Sequence, residues 1–143
     1  MIRSIMITAL VAVLLLAACG APATPLTTVE VVGKQVSVSG GNYTEVSVAE
    51  LQTMLANKDF IFVNVHIPFE GNISGTDLSI PYDQIAQNLD KLPDMTAKIV
   101  LYCRSGRMSA IAAETLIGLG YSDIWNLSGG MVAWEQAGLK IER

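Results

Sequence analysis

Short β-prone apolar runs alternate with helical patterns from Tyr43 onward, and this alternation most limits how the chain can fold. The runs at residues 60–65 and 99–102 are almost wholly apolar, as expected of strands buried on both faces of a parallel sheet. Repeated strand, loop and helix units give parallel strands joined by right-handed crossovers. The sequence therefore predicts an α/β domain in three layers, with a central, mostly parallel sheet flanked by helices.

Capping residues indicate where the helices begin and end. Ser47 followed three residues later by Glu50 is a capping box, which predicts the start of a helix. Gly120 and Gly138 follow two further helical patterns in the position of C-terminal caps. The predicted elements are helices at about 48–55, 85–92, 107–119 and 131–137, a third strand at 121–126 and a loop at 66–81.

The loop between the second apolar run and the next helix carries the chemistry, with the sequence Cys103-Arg104-Ser105-Gly106-Arg107-Met108. Backbone N–H groups in such a loop point toward one place at the positive end of a helix dipole, so they form a cradle for an anion. We expect Cys103 to be nucleophilic at neutral pH, because a cradle of this kind stabilises a thiolate. Gly106 permits the tight curvature, and Arg104 and Arg107 supply positive charge for an anionic donor. The alternative is a buried structural cysteine beside two surface arginines.

The N-terminal segment has the composition of a secretory signal. Arg3 is the only charged residue in positions 1–18, and an apolar run occupies residues 5–16. That run is shorter than the roughly 20 residues needed to span a bilayer, which disfavours a permanent transmembrane helix. The tetrad Leu16-Ala17-Ala18-Cys19 resembles the lipobox of bacterial lipoproteins, and this resemblance implies cleavage before Cys19 and a lipid on its sulfur. The alternative is an ordinary signal peptide in which Cys19 is incidental.

Composition divides the chain into a signal peptide at 1–18, a lipidated tether at 19–42 and a domain at 43–143. The tether is rich in Ala, Pro, Thr, Ser and Gly and ends at Gly40-Gly41. Valines alternate on either side of Gly33-Lys34, which allows either a short hairpin or an edge strand. The sequence does not decide between these two.

Charge and cysteine content restrict the partners. The formal net charge of -4 and a pI near 4.8 provide no basic surface for a nucleic-acid backbone. The chain has two cysteines, so once Cys19 carries lipid, Cys103 is the only free thiol in a compartment that tends to oxidise thiols. A lone thiol there suggests a chemical role.

Several motifs together resemble a single rhodanese domain, the sulfurtransferase module whose active loop often has the sequence CRxG. The resemblance covers the chain from about Tyr43 to Gly138. The matching segments are the loop that begins at Cys103, residues 43–55 for the opening strand and helix, Asn64-Val65-His66 for the family's Asp-Val-Arg, Ile80-Pro81 for its Ile-Pro, and Leu127-Ser128-Gly129-Gly130 with Trp134 for the Leu-x-Gly-Gly and tryptophan of its last unit.

The resemblance implies catalysis through a persulfide on Cys103, which takes sulfur from a donor such as thiosulfate and passes it to a nucleophile. It assigns donor binding to the loop residues that follow, namely Arg104, Ser105, Gly106, Arg107 and Met108. Phosphatase-like and arsenate-reductase-like relatives need a longer loop with an arginine six positions after the cysteine. That position is Ser109 here, and Tyr102 stands where such enzymes usually place a histidine. The shorter loop fits a sulfur atom better than a phosphoryl group.

The chain also departs from the family pattern. Asn64 and His66 replace the charged pair, and we expect both residues to brace the fold behind the loop without that ion pair. The family's Gly-His-Ile-Pro-Gly-Ala stretch is replaced by residues 71–76, and Met108 removes one polar contact to the donor, so thiosulfate need not be the preferred donor. His66 is the only histidine and has no cluster of partner ligands, which predicts a structural role and no metal site.

The sequence thus predicts an extracytoplasmic sulfurtransferase, lipid-anchored to a bacterial membrane through Cys19. It would move sulfur from thiosulfate or a persulfide donor to a thiol, cyanide or protein acceptor through Cys103. We expect a monomer that needs no cofactor and binds no nucleic acid. The alternative is a non-catalytic rhodanese-like module, in which the anion cradle binds a partner or Cys103 senses oxidation.

Overall fold

The computed structural model describes residues 30–143. The predicted signal peptide at 1–18 and the lipidation site at Cys19 lie outside the described residues. Eight strands, three α-helices and two short 3₁₀ segments follow one another within the described part. The strands are β1 (Lys34–Val38), β2 (Gly41–Val46), β3 (Ile61–Asn64), β4 (Asn72–Ile73), β5 (Leu78–Ser79), β6 (Ile99–Tyr102), β7 (Ile124–Leu127) and β8 (Ile141–Glu142). The helices are α1 (Val48–Ala56), α2 (Arg107–Gly118) and α3 (Gly130–Gln136), and the 3₁₀ segments are Tyr82–Gln87 and Leu89–Lys91.

Six of the strands form one central sheet in the order β1-β2-β7-β6-β3-β5. The pairs β2–β7, β7–β6, β6–β3 and β3–β5 are parallel, and only β1 pairs antiparallel with its neighbour. A separate antiparallel pair, β4 with β8, joins the C-terminus to the segment after β3. The prediction of an α/β domain with a central, mostly parallel sheet is confirmed.

Apolar side chains pack on both faces of this sheet, because neighbouring residues of a strand point to opposite sides. On one face, Val63 and Leu101 pack with the apolar side of α2, including Leu116. On the other face, alternate residues of the same strands pack with α1 and α3. The apolar runs at 60–65 and 99–102 were predicted to be buried on both faces for this reason, and the three layers follow from it.

The helix signals are matched closely by the structure. Ser47 caps α1 through the predicted box, since its hydroxyl accepts from the Glu50 backbone N–H at 3.3 Å and the Glu50 carboxylate accepts from the Ser47 N–H at 2.8 Å. Gly120 and Gly138 follow α2 and α3 with φ of +98° and +81°. These left-handed conformations end both helices at low steric cost because glycine lacks a Cβ.

The sheet begins at Lys34, whereas the sequence placed the start of the domain at Tyr43. The structure has an edge strand there, β1, and its hairpin with β2 turns at Ser39-Gly40 and not around Gly33-Lys34. The alternating valines at 36 and 38 indicated this strand and pack against the core, but the surrounding composition rich in small residues and proline led to its assignment to a tether. Residues 34–42 are therefore part of the domain and not of a tether.

Two further local predictions need correction. The segment 66–81, predicted as a loop, contains β4 and β5, which are too short for an alternating pattern to show. The helix predicted from Ile85, Leu89 and Leu92 is instead a pair of 3₁₀ segments, interrupted at Asn88. Among residues 30–143, no helix is both long and apolar enough to cross a membrane.

Candidate active site

Cys103 lies directly after β6 and before α2, at the carboxyl edge of the sheet. Gly106, with φ of +94°, is the N-terminal cap residue of α2, so the four residues between strand and helix, Cys103 to Gly106, form a tight turn around the sulfur. Its backbone N–H donates to Cys103 Sγ at 3.1 Å, and the Ser109 hydroxyl donates to the same atom at 3.4 Å. Two donors directed at one sulfur stabilise its anionic form.

The loop is held from behind by the turn Gly129-Gly130 at the start of α3. The Met131 N–H donates to the Cys103 carbonyl oxygen at 2.9 Å, and the Val132 N–H donates to the Arg104 carbonyl oxygen at 2.9 Å. A Cβ on Gly130 would lie 2.2 Å from the Cys103 carbonyl oxygen. The backbone of this turn thus approaches the loop more closely than any side chain allows.

A cavity of about 290 Å³ opens beside the sulfur. It is lined by five of the six predicted loop residues, Cys103, Arg104, Ser105, Arg107 and Met108, and also by His66, Tyr82 and Ile111. The sixth predicted residue, Gly106, contributes its N–H to the sulfur and does not line the cavity. Cys103 is only 1% exposed, so a reactant reaches the sulfur through this cavity.

Charge in the cavity is more balanced than the sequence indicates. Arg104 forms an ion pair and hydrogen bond with Glu70. That contact is the main cause of the lowered pKa of the Glu70 carboxyl, which is therefore ionised at neutral pH. Arg107 makes no ion pair with any residue in the described range 30–143. Arg107 is thus the fixed positive charge of the cavity that no carboxylate compensates.

His66 occupies a different place from the one predicted. Its side chain is 7% exposed, lines the cavity and places Nε2 at 3.6 Å from Glu70 Oε2. Neither ring nitrogen has a hydrogen-bond partner among the described residues. A buried polar group without a partner costs roughly 1–3 kcal/mol, so this ring is available to a molecule that enters the cavity. The expectation that His66 braces the fold behind the loop is wrong.

Asn64 does have the bracing role that the sequence predicted. Its side-chain oxygen accepts from the His66 N–H at 2.9 Å, and its side-chain nitrogen donates to the Gly71 carbonyl oxygen at 2.9 Å. These bonds close the segment 66–71 onto the end of β3. An amide is suited to this task because it donates and accepts at the same time, and a carboxylate cannot.

Tyr102 anchors the neighbouring segment from inside the core. Its hydroxyl accepts from the Ile73 N–H at 3.0 Å and lies 2.7 Å from Thr76 Oγ1. Burial raises the pKa of Tyr102, so the hydroxyl stays neutral. The residue before the cysteine is therefore structural and points away from the cavity, on the face of the sheet that packs against α1 and α3.

Sequence reasoning missed His66, Glu70, Tyr82 and Ile111. A usable signal was present for two of them, because His66 follows β3 and Tyr82 follows β5 within a few residues. The carboxyl ends of parallel strands meet at one edge of a sheet, and ligands bind in the crevice outside that edge. Residues just beyond neighbouring strands are therefore expected to meet Cys103, which ends β6.

Comparison with known proteins identifies related sequences and folds. The family described as rhodanese-like domain matches residues 47–137. A sulfurtransferase of Allochromatium vinosum is 34% identical over 93 residues, which are 63% of this chain and 85% of that protein. Other curated relatives are longer, and the chain spans 59% of one and 27% of another.

Solved structures share the fold. The crystal structure of a rhodanese-like domain protein from Staphylococcus aureus superimposes with a TM-score of 0.58 at 32% identity, covering 69% of this chain and 98% of that one. A thiosulfate sulfurtransferase of Pseudomonas aeruginosa gives a TM-score of 0.60 at 23% identity over 69% of this chain and 20% of its own, a likeness of fold alone. Since the family match covers more than half of the sequence and includes four of the six strands of the sheet, the cysteine loop and the turn behind it, the chain belongs to the rhodanese-like domain family.

Proposed function

We propose that this protein is a sulfurtransferase that carries sulfane sulfur as a persulfide on Cys103. The observation that carries the proposal is the sulfur itself, which accepts hydrogen bonds from Gly106 and Ser109 and borders a cavity containing Arg107. Family membership and the similarity to a named sulfurtransferase support the same reaction class.

In the first half-reaction, the Cys103 thiolate attacks the outer sulfur of the donor. With thiosulfate, the new S–S bond forms as the bond between the two donor sulfurs breaks, and sulfite leaves with that electron pair. With an organic persulfide, the leaving group is the corresponding thiolate. The backbone N–H groups of the loop stabilise the terminal sulfur anion that results, and the guanidinium groups orient an anionic donor.

In the second half-reaction, an acceptor nucleophile attacks the outer sulfur of the persulfide. A thiolate acceptor leaves as a persulfide and cyanide leaves as thiocyanate, while Cys103 recovers its electron pair as a thiolate. No net oxidant or reductant is required. A small thiol, cyanide or the thiol of a protein each meet this requirement, and the cavity of about 290 Å³ accommodates the reacting end of any of them.

The geometry disfavours phosphoryl transfer. The residue six positions after Cys103 is Ser109, and its hydroxyl donates to the cysteine sulfur itself. A phosphatase places an arginine there to bind the equatorial oxygens of the phosphoryl group. The turn here is closed around one sulfur atom, which supports transfer of sulfur.

Steady-state transfer tests the proposal. Wild-type protein with thiosulfate or glutathione persulfide and an acceptor should release one sulfite or thiol for each acceptor converted, with the pattern of a two-step exchange mechanism. Cys103→Ser should abolish turnover, while Ser128→Ala, a change beyond the cavity, should retain it. Equal turnover by wild type and Cys103→Ser would contradict the proposal and leave a binding or redox-sensing module as the alternative.

The proposal includes a location on the outer side of a bacterial membrane, with lipid on Cys19. The support is sequence alone, namely Leu16-Ala17-Ala18-Cys19 directly after an apolar run. Expressed in a bacterium fed labelled fatty acid, wild type should incorporate label and sediment with membranes, and Cys19→Ala should do neither. Membrane association without label would instead indicate an uncleaved apolar segment.

A further inference from the structure

We infer that His66 sets the donor preference of the site by its charge: neutral His66 favours a singly charged persulfide, and protonated His66 admits dianionic thiosulfate. This inference rests on the proposed function, since it concerns the molecules that load Cys103. The residues that carry it are His66, Arg104 and Arg107, which line the cavity, and Glu70, which pairs with Arg104.

When His66 is neutral, the fixed charges near the sulfur sum to a single positive charge. Arg104 is paired with Glu70, which leaves Arg107 as the uncompensated cation among the described cavity residues. The other titratable groups lining the cavity, Tyr82 and Cys103, contribute no positive charge in any state. The attacking Cys103 thiolate offsets this charge, so a donor with two negative charges at its reacting end meets no net positive charge while His66 is neutral.

Protonation of His66 changes this balance. Histidine is the side chain whose charge state can change near neutral pH. The protonated ring has two N–H donors, one facing the ionised Glu70 carboxylate at 3.6 Å, and the described residues provide no hydrogen-bond partner for either nitrogen. A second positive charge in the cavity strengthens binding of a dianion more than binding of a monoanion.

His66 acts here as a specificity-determining residue and not as a proton-transfer catalyst. Thiosulfate loading needs no proton, because sulfite leaves as a dianion and the persulfide stays anionic. The ring therefore acts through charge and hydrogen bonding, and its effect should differ between donors of different charge. A merely structural role would affect all donors alike.

The test compares wild type with His66→Gln, which keeps a polar side chain without the ionisation. The second-order rate constant for persulfide formation is measured from pH 5.5 to 8.5 with thiosulfate and with the persulfide of 2-mercaptoethanol, which carries a single negative charge when ionised. Dividing wild-type rates by variant rates cancels the titration of each donor, and comparing the quotients of the two donors cancels any change that the substitution causes in Cys103. As the pH falls from 8.5 to 5.5, we expect this quotient to rise about tenfold for thiosulfate and less than threefold for the persulfide. A tenfold change is the size of one charge–charge interaction across a partly hydrated cavity.

Other outcomes overturn the inference in distinguishable ways. A quotient that is constant with pH, or that rises equally for both donors, refutes the role of His66 while sulfur loading itself remains. Failure of both donors to load wild type refutes the proposed function and this inference with it. Should His66→Gln not fold, proton NMR of the single histidine in Cys103→Ser tests the inference instead. Bound thiosulfate favours the protonated ring, so it must move the imidazole titration to higher pH. An unmoved titration refutes the inference.

Discussion

Cys103 is held by one donor from the backbone and one from a side chain. The Gly106 N–H is fixed by the start of α2, whereas the Ser109 hydroxyl can rotate and also lies 3.1 Å from the Gly106 carbonyl oxygen. The hydroxyl has a single proton, which the sulfur and this carbonyl share. When the sulfur is anionic it is the better acceptor, so Ser109 contributes most when the thiolate or persulfide is present.

Replacing Ser109 with alanine should slow sulfur loading. The variant loses one hydrogen bond to the anionic sulfur, worth roughly 1 kcal/mol or about fivefold in rate. The rate constant for persulfide formation, measured by rapid quench and mass spectrometry, checks this. The matched control is Thr115→Ala on the same helix, whose hydroxyl bonds to the Ile111 carbonyl oxygen away from the sulfur. Equal rates for wild type and Ser109→Ala would show that the hydroxyl does not reach the reacting sulfur.

The active loop depends on the turn that precedes α3. Gly129 and Gly130 both have positive φ, and the residues that follow bind the carbonyl groups of Cys103 and Arg104. The loop is thereby fixed at its strand end by α3 and at its helix end by α2. The Gly-Gly pair is a structural element of the site, although neither glycine lines the cavity.

Two glycine substitutions separate close packing from backbone conformation. Gly130→Ala should lower the free energy of unfolding by about 3 kcal/mol or more, because a left-handed alanine costs about 1–2 kcal/mol and its Cβ collides with the loop. Gly138 also has a positive φ, of +81°, but nothing lies within 4 Å of a Cβ at this position. Gly138→Ala should therefore lower the free energy of unfolding by only about 1 kcal/mol. Urea unfolding of both variants checks the difference. Equal losses would mean that the loop moves away from Gly130 without cost.

Glu50 joins α1 to the segment that enters β1. Its carboxylate accepts from the Ser47 N–H and the Gly33 N–H at 2.8 Å each, and from the Val32 N–H at 3.1 Å. The hydrogen bond from the Ser47 backbone, followed by that from Gly33, lowers its pKa from 4.5 to about 2. The ionised carboxylate is thus the form that holds the edge of the sheet against α1.

The contribution of Glu50 to stability should depend on pH. Its folded pKa lies below its ordinary value of 4.5, so the stabilisation is complete above about pH 5 and is lost as the pH falls toward 2. Glu50→Gln should lower the free energy of unfolding by about 1 kcal/mol at pH 7, allowing for solvent screening. The loss should become progressively smaller as the pH falls.

Urea unfolding at several pH values measures this dependence. Glu135→Gln breaks only an exposed ion pair with Arg143 and should change stability by less than about 0.5 kcal/mol at any pH. A cost for Glu50→Gln that stayed constant down to pH 2 would show that the lost bonds do not depend on ionisation.

On the scale of the whole molecule, local patterns predicted the elements well and their arrangement only in outline. The run at 99–102 became β6 with the same bounds, because a strand buried on both faces has no polar positions. The alternating valines allowed an edge strand at β1, but the surrounding composition rich in small residues and proline led to its assignment to a tether. The strand order β1-β2-β7-β6-β3-β5 pairs segments far apart in the chain, and no local periodicity encodes such pairing.

The same distinction applies to the site. The cysteine loop is one continuous segment, so its strand, glycine and helix could be predicted together. His66 and Glu70 join it only because β3 pairs with β6, and Glu70 reaches Arg104 across 34 positions of sequence. The place of His66 just after β3 indicates that it lies at this edge of the sheet, whereas the contact of Glu70 with Arg104 depends on the tertiary fold.

The most direct test of the account is the mass of the intact chain, purified in detergent, before and after sulfane donors. Thiosulfate at mildly acid pH and glutathione persulfide at neutral pH should each add one sulfur, about 32 Da, to wild type and none to Cys103→Ser. Addition of cyanide should remove it as thiocyanate. If the folded wild-type protein gains no sulfur from either donor while its Cys103 thiol still reacts with an alkylating agent, the sulfurtransferase account is wrong.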